Sequence, residues 1–313
     1  MREPSGLSIV IPVFNSAPTL DLLLGRIEEA LEPLGRNYEV LFVNDCSRDE
    51  SWSRIAALAR KSGKIRGFNL MRNYGQHSAL LCGIRAAKYD VIVTMDDDLQ
   101  HRPEEIAAML VKLQDGYDVV YGVPLEEQHG FLRDIASQMT KLVLQGAMDA
   151  DTAKNISAFR AFRTELRGAF SNYQGSFVSI DVLLTWGTFR FACLRVQHDK
   201  RAQGVSNYTF FKLLTHAFNM MTGFSTVPLQ LASGVGFVFT LFGFGVLSYV
   251  LGRYFVRGTS VPGFPFLASV IALFSGAQLF ALGIIGEYIA RMHFRMMERP
   301  AYAVRSTTSD END

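Results

Sequence analysis

The chain has 313 residues, 49% of them hydrophobic and 19% charged, with 31 Lys+Arg against 30 Asp+Glu. That apolar share excludes wholesale disorder, and the near-zero net charge excludes a general nucleic-acid binder, which needs a basic excess to neutralise phosphates. Three widely spaced cysteines (Cys46, Cys82, Cys193) fit neither a disulfide framework nor a zinc site, while the charged fraction is below the ~25% usual for soluble domains.

Polar residues precede Leu7 and the apolar run after it is strand-length, so no signal peptide is expected. From there, short β-branched runs alternate with helical patterns. Strands are expected at Leu7–Phe14, Tyr38–Asp45, Ile65–Met71, Asp90–Met95 and Asp118–Gly122. Helices are expected near Thr19–Leu31, Ser51–Ser62, Gln76–Lys88 and Pro103–Gln114. Such alternation implies right-handed βαβ crossovers and a mostly parallel α/β sheet covered on both faces. Residues 1–207 would form this domain.

The following stretch, Tyr208–Phe224, is aromatic and Met-bearing with Lys212, His216 and Asn219 interspersed. It reads equally as an amphipathic interfacial helix (208–226) or as a helix packed on the globular domain. Between Lys212 and Arg253 there is no Asp, Glu, Lys or Arg. Two apolar runs, Leu229–Leu251 and about Phe264–Gly286, each exceed the ~20 residues that cross a ~30 Å hydrocarbon layer as a helix. The alternative is a pair of soluble core helices, though these normally keep a polar stripe. The missing charges belong to this two-helix region (227–292). Lys212, Arg291, Arg295, Arg299 and Arg305 flank the spans, and only Arg253 and Arg257 lie between them, which places both termini in the cytoplasm. Residues 293–313 read as a cytoplasmic tail, polar and loose over Arg299–Asp313.

Ligands on an open parallel sheet bind outside the carboxyl ends of its strands. Those ends read Ile-Pro-Val-Phe-Asn (Ile11–Asn15), Val-Asn-Asp-Cys-Ser (Val43–Ser47) and Met-Asp-Asp-Asp-Leu-Gln (Met95–Gln100). Three adjacent carboxylates repel one another, and a hard divalent cation such as Mg²⁺ or Mn²⁺ would relieve the conflict and bind a diphosphate. An acidic turn capping the helix at Pro103 is the plainer reading of the same residues. Asp45 could accept hydrogen bonds from a base or ribose, or simply form a turn. No dinucleotide fingerprint and no P-loop is present.

The segments IVIPVFN, VNDCSRDES, RNYGQHSALLCG and MDDDLQHRPEEI, with the later GAQLFALGIIGEYIARM and RPAY, resemble family 2 glycosyltransferases. Among these they are most similar to the polyprenyl-phosphate glycosyltransferases, a group that includes dolichol-phosphate mannose synthases and undecaprenyl-phosphate formamido-arabinose transferases. The resemblance implies a GT-A domain carrying two membrane helices. It implies a nucleotide-sugar donor, undecaprenyl (polyprenyl) phosphate as acceptor, a lipid bilayer as support and assembly into homo-oligomers at the inner membrane. By the same resemblance Pro12, Phe14, Asp45, Asp96 and Asp97 would line the nucleotide pocket. Asp98 and Gln100 would hold Mg²⁺ or Mn²⁺, and Arg133, Ser137 and Arg201 would hold phosphate. Asp96, Asp98, Arg133 and Arg201 are the implied catalytic set. His77 either touches the donor or packs under the strand ends.

The transfer implied is an inverting, in-line attack by phosphate on the anomeric carbon. A phosphate monoester is mostly ionised at pH 7, so no strong general base is required; Asp96 is the nearest candidate. Several positions depart from the family pattern: Ser16 for an acidic residue, Pro124 for an arginine, Lys154 for an aspartate and Asn207 for a lysine. Arg72 or Lys154 could compensate for the lost cations. A lipid-binding scaffold without catalysis and a transferase with another lipid-linked acceptor are the competing readings. The carboxylates Asp96–Asp98 with Gln100 favour an enzyme, because a scaffold has no use for clustered charge.

Overall fold

The computed structural model describes residues 5–125, 155–175, 177–199, 227–257 and 263–310. Arg133, Ser137, Lys154, Arg201, Asn207 and the stretch 208–226 lie outside these residues. The chain divides into two units: one formed by 1–214 with 298–313, the other by 215–297.

In the first unit, Leu7–Val13 forms β1 and Tyr38–Asn44 forms β2, and every residue of both is buried. Strands apolar on both faces need cover on both faces, which the intervening helices supply. Helix α1 (Leu20–Leu31) turns Leu20, Leu23, Leu24, Ile27 and Leu31 inward, one stripe at helical spacing. Helix α2 (Ser51–Lys61) leads to β3 (Ile65–Leu70), α3 (Gln76–Ala86) to β4 (Val91–Thr94), and α4 (Ile106–Gln114) to β5 (Val119–Pro124). A Cβ on Gly83 of α3 would stand 2.4 Å from Val10, so the absent side chain is what lets α3 settle on β1.

β6 (Arg160–Arg163), β7 (Phe191–Val196) and β8 (Val304–Thr307) complete an eight-stranded sheet in the order β7-β5-β6-β4-β1-β2-β3-β8. Only β6 and β8 run against the others. Neither β6 nor β8 stands out from its pattern, since each is four residues long and carries arginine.

The tail corrects one expectation. Residues 298–310 are not a loose end but part of the first unit. β8 pairs antiparallel with β3, Thr308 Oγ1 accepts the Gly67 amide hydrogen at 3.0 Å, and the Met71 amide donates to the Ala303 carbonyl at 2.9 Å. Here Gly67 is again a matter of room, because its Cβ would lie 2.6 Å from Thr308. The tail therefore covers what would be an open sheet edge.

Two ion networks, one of them buried, brace the far strands. Arg160, 2% exposed, donates to Asp181 at 2.6 Å, and the Tyr121 hydroxyl donates to the same carboxylate at 3.1 Å. At the start of β5, burial would raise the Asp118 carboxyl. The Thr188 hydroxyl at 2.6 Å, both Arg190 contacts at 3.0 Å and nearby Arg163 outweigh it and hold it below the usual value of 3.8.

The second unit holds two long helices, Val227–Arg257 and Phe264–Met296, each long and apolar enough to cross a membrane. Their apolar side chains, among them Phe237, Leu241, Phe244, Leu279 and Phe280, are exposed, which soluble core helices would not allow. The helices meet through Phe274, whose ring packs against Phe239 and Phe242 at 5.6 and 6.4 Å.

Two predictions concern this framework. Deleting residues 301–313 should speed amide exchange along β3 and lower the thermal midpoint in detergent, whereas a loose tail would change neither. For Asp118, the folded-state pKa is depressed, so its contribution is full above about pH 4 and lost as pH falls through the folded value. Asp118→Asn should therefore lower stability at pH 7 by about 1–3 kcal/mol and flatten the acid dependence of the thermal midpoint below pH 4.

Candidate active site

With β4-β1-β2 adjacent and parallel, the turns after these strands share one edge. The chain leaves β1 toward β2 and β3 on one side, and β4 lies on the other. The crevice of a doubly wound sheet opens at this switch. Three non-glycine residues there hold left-handed backbone: Asn15 (φ 57°), Cys46 (φ 57°) and Leu99 (φ 63°). Such conformations persist where surrounding contacts over-determine them, and they cluster at functional sites.

The contacts are on hand. After β1, the Asn15 amide donates to Ser47 Oγ at 2.9 Å and Asn15 Oδ1 accepts the Arg48 amide hydrogen at 2.8 Å, so the first two turns lock together. Asp49 accepts the Ala17 amide hydrogen at 3.0 Å across the same seam. The Phe14 amide donates to Asp97 Oδ2 at 3.3 Å, and the Thr19 hydroxyl lies 2.9 Å from the Asp97 carbonyl, joining the first turn to the acidic one. Phe14 itself is 46% exposed at the crevice, an aromatic face open to a flat partner. Pro12 is buried within β1, opposite Val43.

The acidic residues have separate partners. Asp45 is 3% exposed, and its two carboxylate oxygens accept the Tyr74 and Gly75 amide hydrogens at 2.7 and 2.8 Å. Burial raises its pKa and the two amides pull it back without cancelling the rise. Its carboxylate thus pins the loop that opens α3. Asp96 Oδ1 accepts from the Gln76 side-chain amide at 2.6 Å. Burial raises the Asp97 pKa, the Ser16 hydroxyl and Phe14 amide oppose this, and the Asp98 charge adds to the rise. Asp98 Oδ1 accepts the Gln100 amide hydrogen at 3.2 Å. Among the described residues, no three His, Cys, Asp or Glu side chains converge as a complete metal cage. Each carboxylate of the acidic turn has a donor of its own, while Asp98 still repels Asp97.

His101, His198 and Gln76 join this edge without any spacing signal that marks them. His101 is 5% exposed, its ring stacked on Phe159 at 5.1 Å and set edge-on to His198 at 4.9 Å. Burial, His198 and Arg160 push its pKa down to about 3, so the ring is neutral, and its Nδ1 accepts the Asp96 amide hydrogen at 3.0 Å. A bridge between His101 and His198 and a 3.0 Å bond from the Asp199 amide to the Gln100 carbonyl run the chain after β7 alongside the acidic turn. Arg102 and Arg26 pair with Asp199 and secure that segment, which leads directly into Arg201. Burial lowers the His198 pKa against the charges of Asp98 and Asp199. Its Nε2 is buried without a hydrogen-bond partner among the described residues.

Of the expected site residues, Pro12, Phe14, Asp45, Asp96, Asp97, Asp98 and Gln100 share this edge, while Arg133, Ser137 and Arg201 lie outside the described residues. His77 packs under the edge, its Nδ1 accepting the Ile180 amide hydrogen at 3.2 Å. One departure acquires a reason: an acidic side chain in place of Ser16 would face Asp97. Beside Pro124, Arg195 of β7 donates to the Pro124 carbonyl at 2.9 Å. Arg72, the other candidate for compensation, stacks over the Tyr74 ring at 4.6 Å.

A family model described as glycosyl transferase family 2 matches residues 8–174. The undecaprenyl-phosphate 4-deoxy-4-formamido-L-arabinose transferase of Klebsiella pneumoniae subsp. pneumoniae is 34% identical over 316 residues, covering 98% of this chain and 97% of that protein. The protein of that name from Pseudomonas aeruginosa is 35% identical over 311 residues, covering 97% and 91%. Among solved structures, mannosyl-3-phosphoglycerate synthase from Rubrobacter xylanophilus matches with a TM-score of 0.50 at 16% identity, over 68% of this chain and 72% of that one. That likeness concerns the fold, and the fold is the expected GT-A arrangement.

Because Asp45 satisfies two half-buried amides, Asp45→Asn sets a donor against one of them and should cost about 2 kcal/mol. Thermal unfolding should show the loss, and exchange at Tyr74 and Gly75 should rise with it. An unchanged midpoint would mean that the carboxylate does not pin the loop.

Proposed function

Since the chain belongs to glycosyl transferase family 2, we propose that it transfers a sugar, with inversion, from a nucleotide-sugar donor to undecaprenyl phosphate. The reaction takes place at the cytoplasmic face of the inner membrane, with both long helices crossing and both termini inside. One observation carries this reading: the likeness to undecaprenyl-phosphate sugar transferases spans 98% of the chain, so it includes the two long apolar helices as well as the acidic edge.

The edge suits the donor. Phe14 offers its exposed ring to the base, while Asp96 and Asp97, oriented by Gln76 and the Phe14 amide, face the ribose and diphosphate. Asp98 and Gln100 would hold a Mg²⁺ or Mn²⁺ ion, and His198 Nε2, without a partner among the described residues, is a further donor atom close to the Asp98 charge. Few protein donors, completed by phosphate oxygens and water, match how Mg²⁺ is usually held. Bound there, the ion would offset charge on the departing nucleoside diphosphate.

Arg133 and Arg201 orient the acceptor phosphate, for which guanidinium is the fitting partner. A phosphate oxygen attacks the anomeric carbon as the bond to the diphosphate breaks on the opposite side. Because that phosphate is already mostly ionised, the chain needs to position it rather than deprotonate it.

Incubation with Mg²⁺ or Mn²⁺, undecaprenyl phosphate and a panel of labelled nucleotide sugars should yield a butanol-extractable labelled lipid. If no donor does so while a related transferase succeeds alongside, the reading fails. Asp98→Ala should reduce transfer by about 10²-fold or more, and chelation should abolish it in the wild type. Full turnover in that variant would remove the metal assignment.

A further inference from the structure

We propose that His101 is a positioning residue: by accepting the Asp96 amide hydrogen at Nδ1, it closes the acidic turn and sets the direction in which Asp96, Asp97 and Asp98 are presented. The role of those carboxylates rests on the transferase reading above; the closure of the turn does not.

The turn has a specific mechanical problem. Between Asp96 and His101 the backbone must pass through Leu99 at φ 63°, a region that disfavours a γ-branched aliphatic residue. Leu99 is nonetheless buried, so the strained residue is held inward. Bonds on the turn oppose the strain: Gln100 donates to Asp98 Oδ1 at 3.2 Å, and the Thr19 hydroxyl approaches the Asp97 carbonyl from α1's entry. The Asp96 amide to His101 Nδ1 bond, 3.0 Å, joins the two ends of the turn.

That acceptor is aimed. The imidazole lies nearly parallel to Phe159, with 14° between the planes, and nearly perpendicular to His198, at 72°. With one face on Phe159, an edge against His198 and the backbone bridged to residue 198, the ring cannot turn without breaking packing. Phe159 lies next to β6 and His198 follows β7, so a side chain on the acidic turn reads the placement of two distant strands and passes it to Asp96. A purely structural core histidine would need its shape; a positioning one needs an acceptor at the δ position.

Two substitutions separate these. His101→Asn keeps an acceptor close to where Nδ1 stood but removes the ring, whereas His101→Phe keeps the stacking and removes the acceptor. Hydrogen-exchange mass spectrometry on the full-length protein in detergent should show the peptide covering residues 95–102 exchanging about tenfold faster in His101→Phe and near the wild-type rate in His101→Asn. With whichever nucleotide sugar of the panel supports transfer, kcat/KM should fall about 10²-fold in His101→Phe, mainly in kcat, and stay within about threefold of wild type in His101→Asn. The thermal midpoint of each variant, measured alongside, separates closure of the turn from global unfolding. If the Phe variant exchanges and turns over like the wild type, or the Asn variant fails as badly as the Phe variant, the proposal is overturned. Should the wild type transfer no sugar at all, the functional reading fails instead, and the exchange comparison still decides whether Nδ1 closes the turn.

Discussion

The burial of β1 and β2 on both faces is the constraint on which the rest of the catalytic unit depends. Strands with no polar face must be covered above and below, so each crossover carries a helix and returns the chain to the same edge. The covered faces have no place for a polar ligand. Charged and hydrogen-bonding groups are left at the ends of the strands, and the carboxyl ends of β4, β1 and β2 collect Asp45, Asn15 and the Asp96–Asp98 run within one seam.

Concentrating so much polarity in a small crevice has a cost. The backbone meets it with three left-handed non-glycine residues, and the acidic side chains meet it by division of partners: Asp45 to two amides, Asp96 to Gln76, Asp97 to the Phe14 amide. A site built this way presents negative charge already oriented before any ligand arrives, which is how electrostatic catalysis avoids reorganisation in the reacting complex. The neutral His101–His198 pair fits the same economy, since imidazole supplies acceptor and donor atoms without adding another charge.

The C-terminal residues complete the design from the far side. Ala303 and Arg305 bond to Met71, at the head of the loop that Asp45 pins through Tyr74 and Gly75. The strand that follows the second long helix is therefore a member of the sheet whose edge carries the candidate site.

What could be read from residues alone was local. The short β-branched runs of the early strands, the helical patterns between them, two uncharged runs of membrane length and the Asp-Asp-Asp-Leu-Gln turn each depend on neighbours in the chain, so their pattern survives without the fold. The pairing of β6 and β8 was not legible, because four-residue strands bearing arginines carry no periodicity. Nor was the assignment of Asp45 to a supporting loop, the burial of Arg160, or the place of His101 and His198. Those are settled by contacts between residues 20 to 241 positions apart, such as Gln76 with Asp96, Phe14 with Asp97 and Gly67 with Thr308. A side chain's type limits what it can bond to, but only the folded backbone decides which partner comes within 3 Å. The chemistry at this edge was therefore visible in composition and order, while the direction of each carboxylate was the work of the tertiary structure.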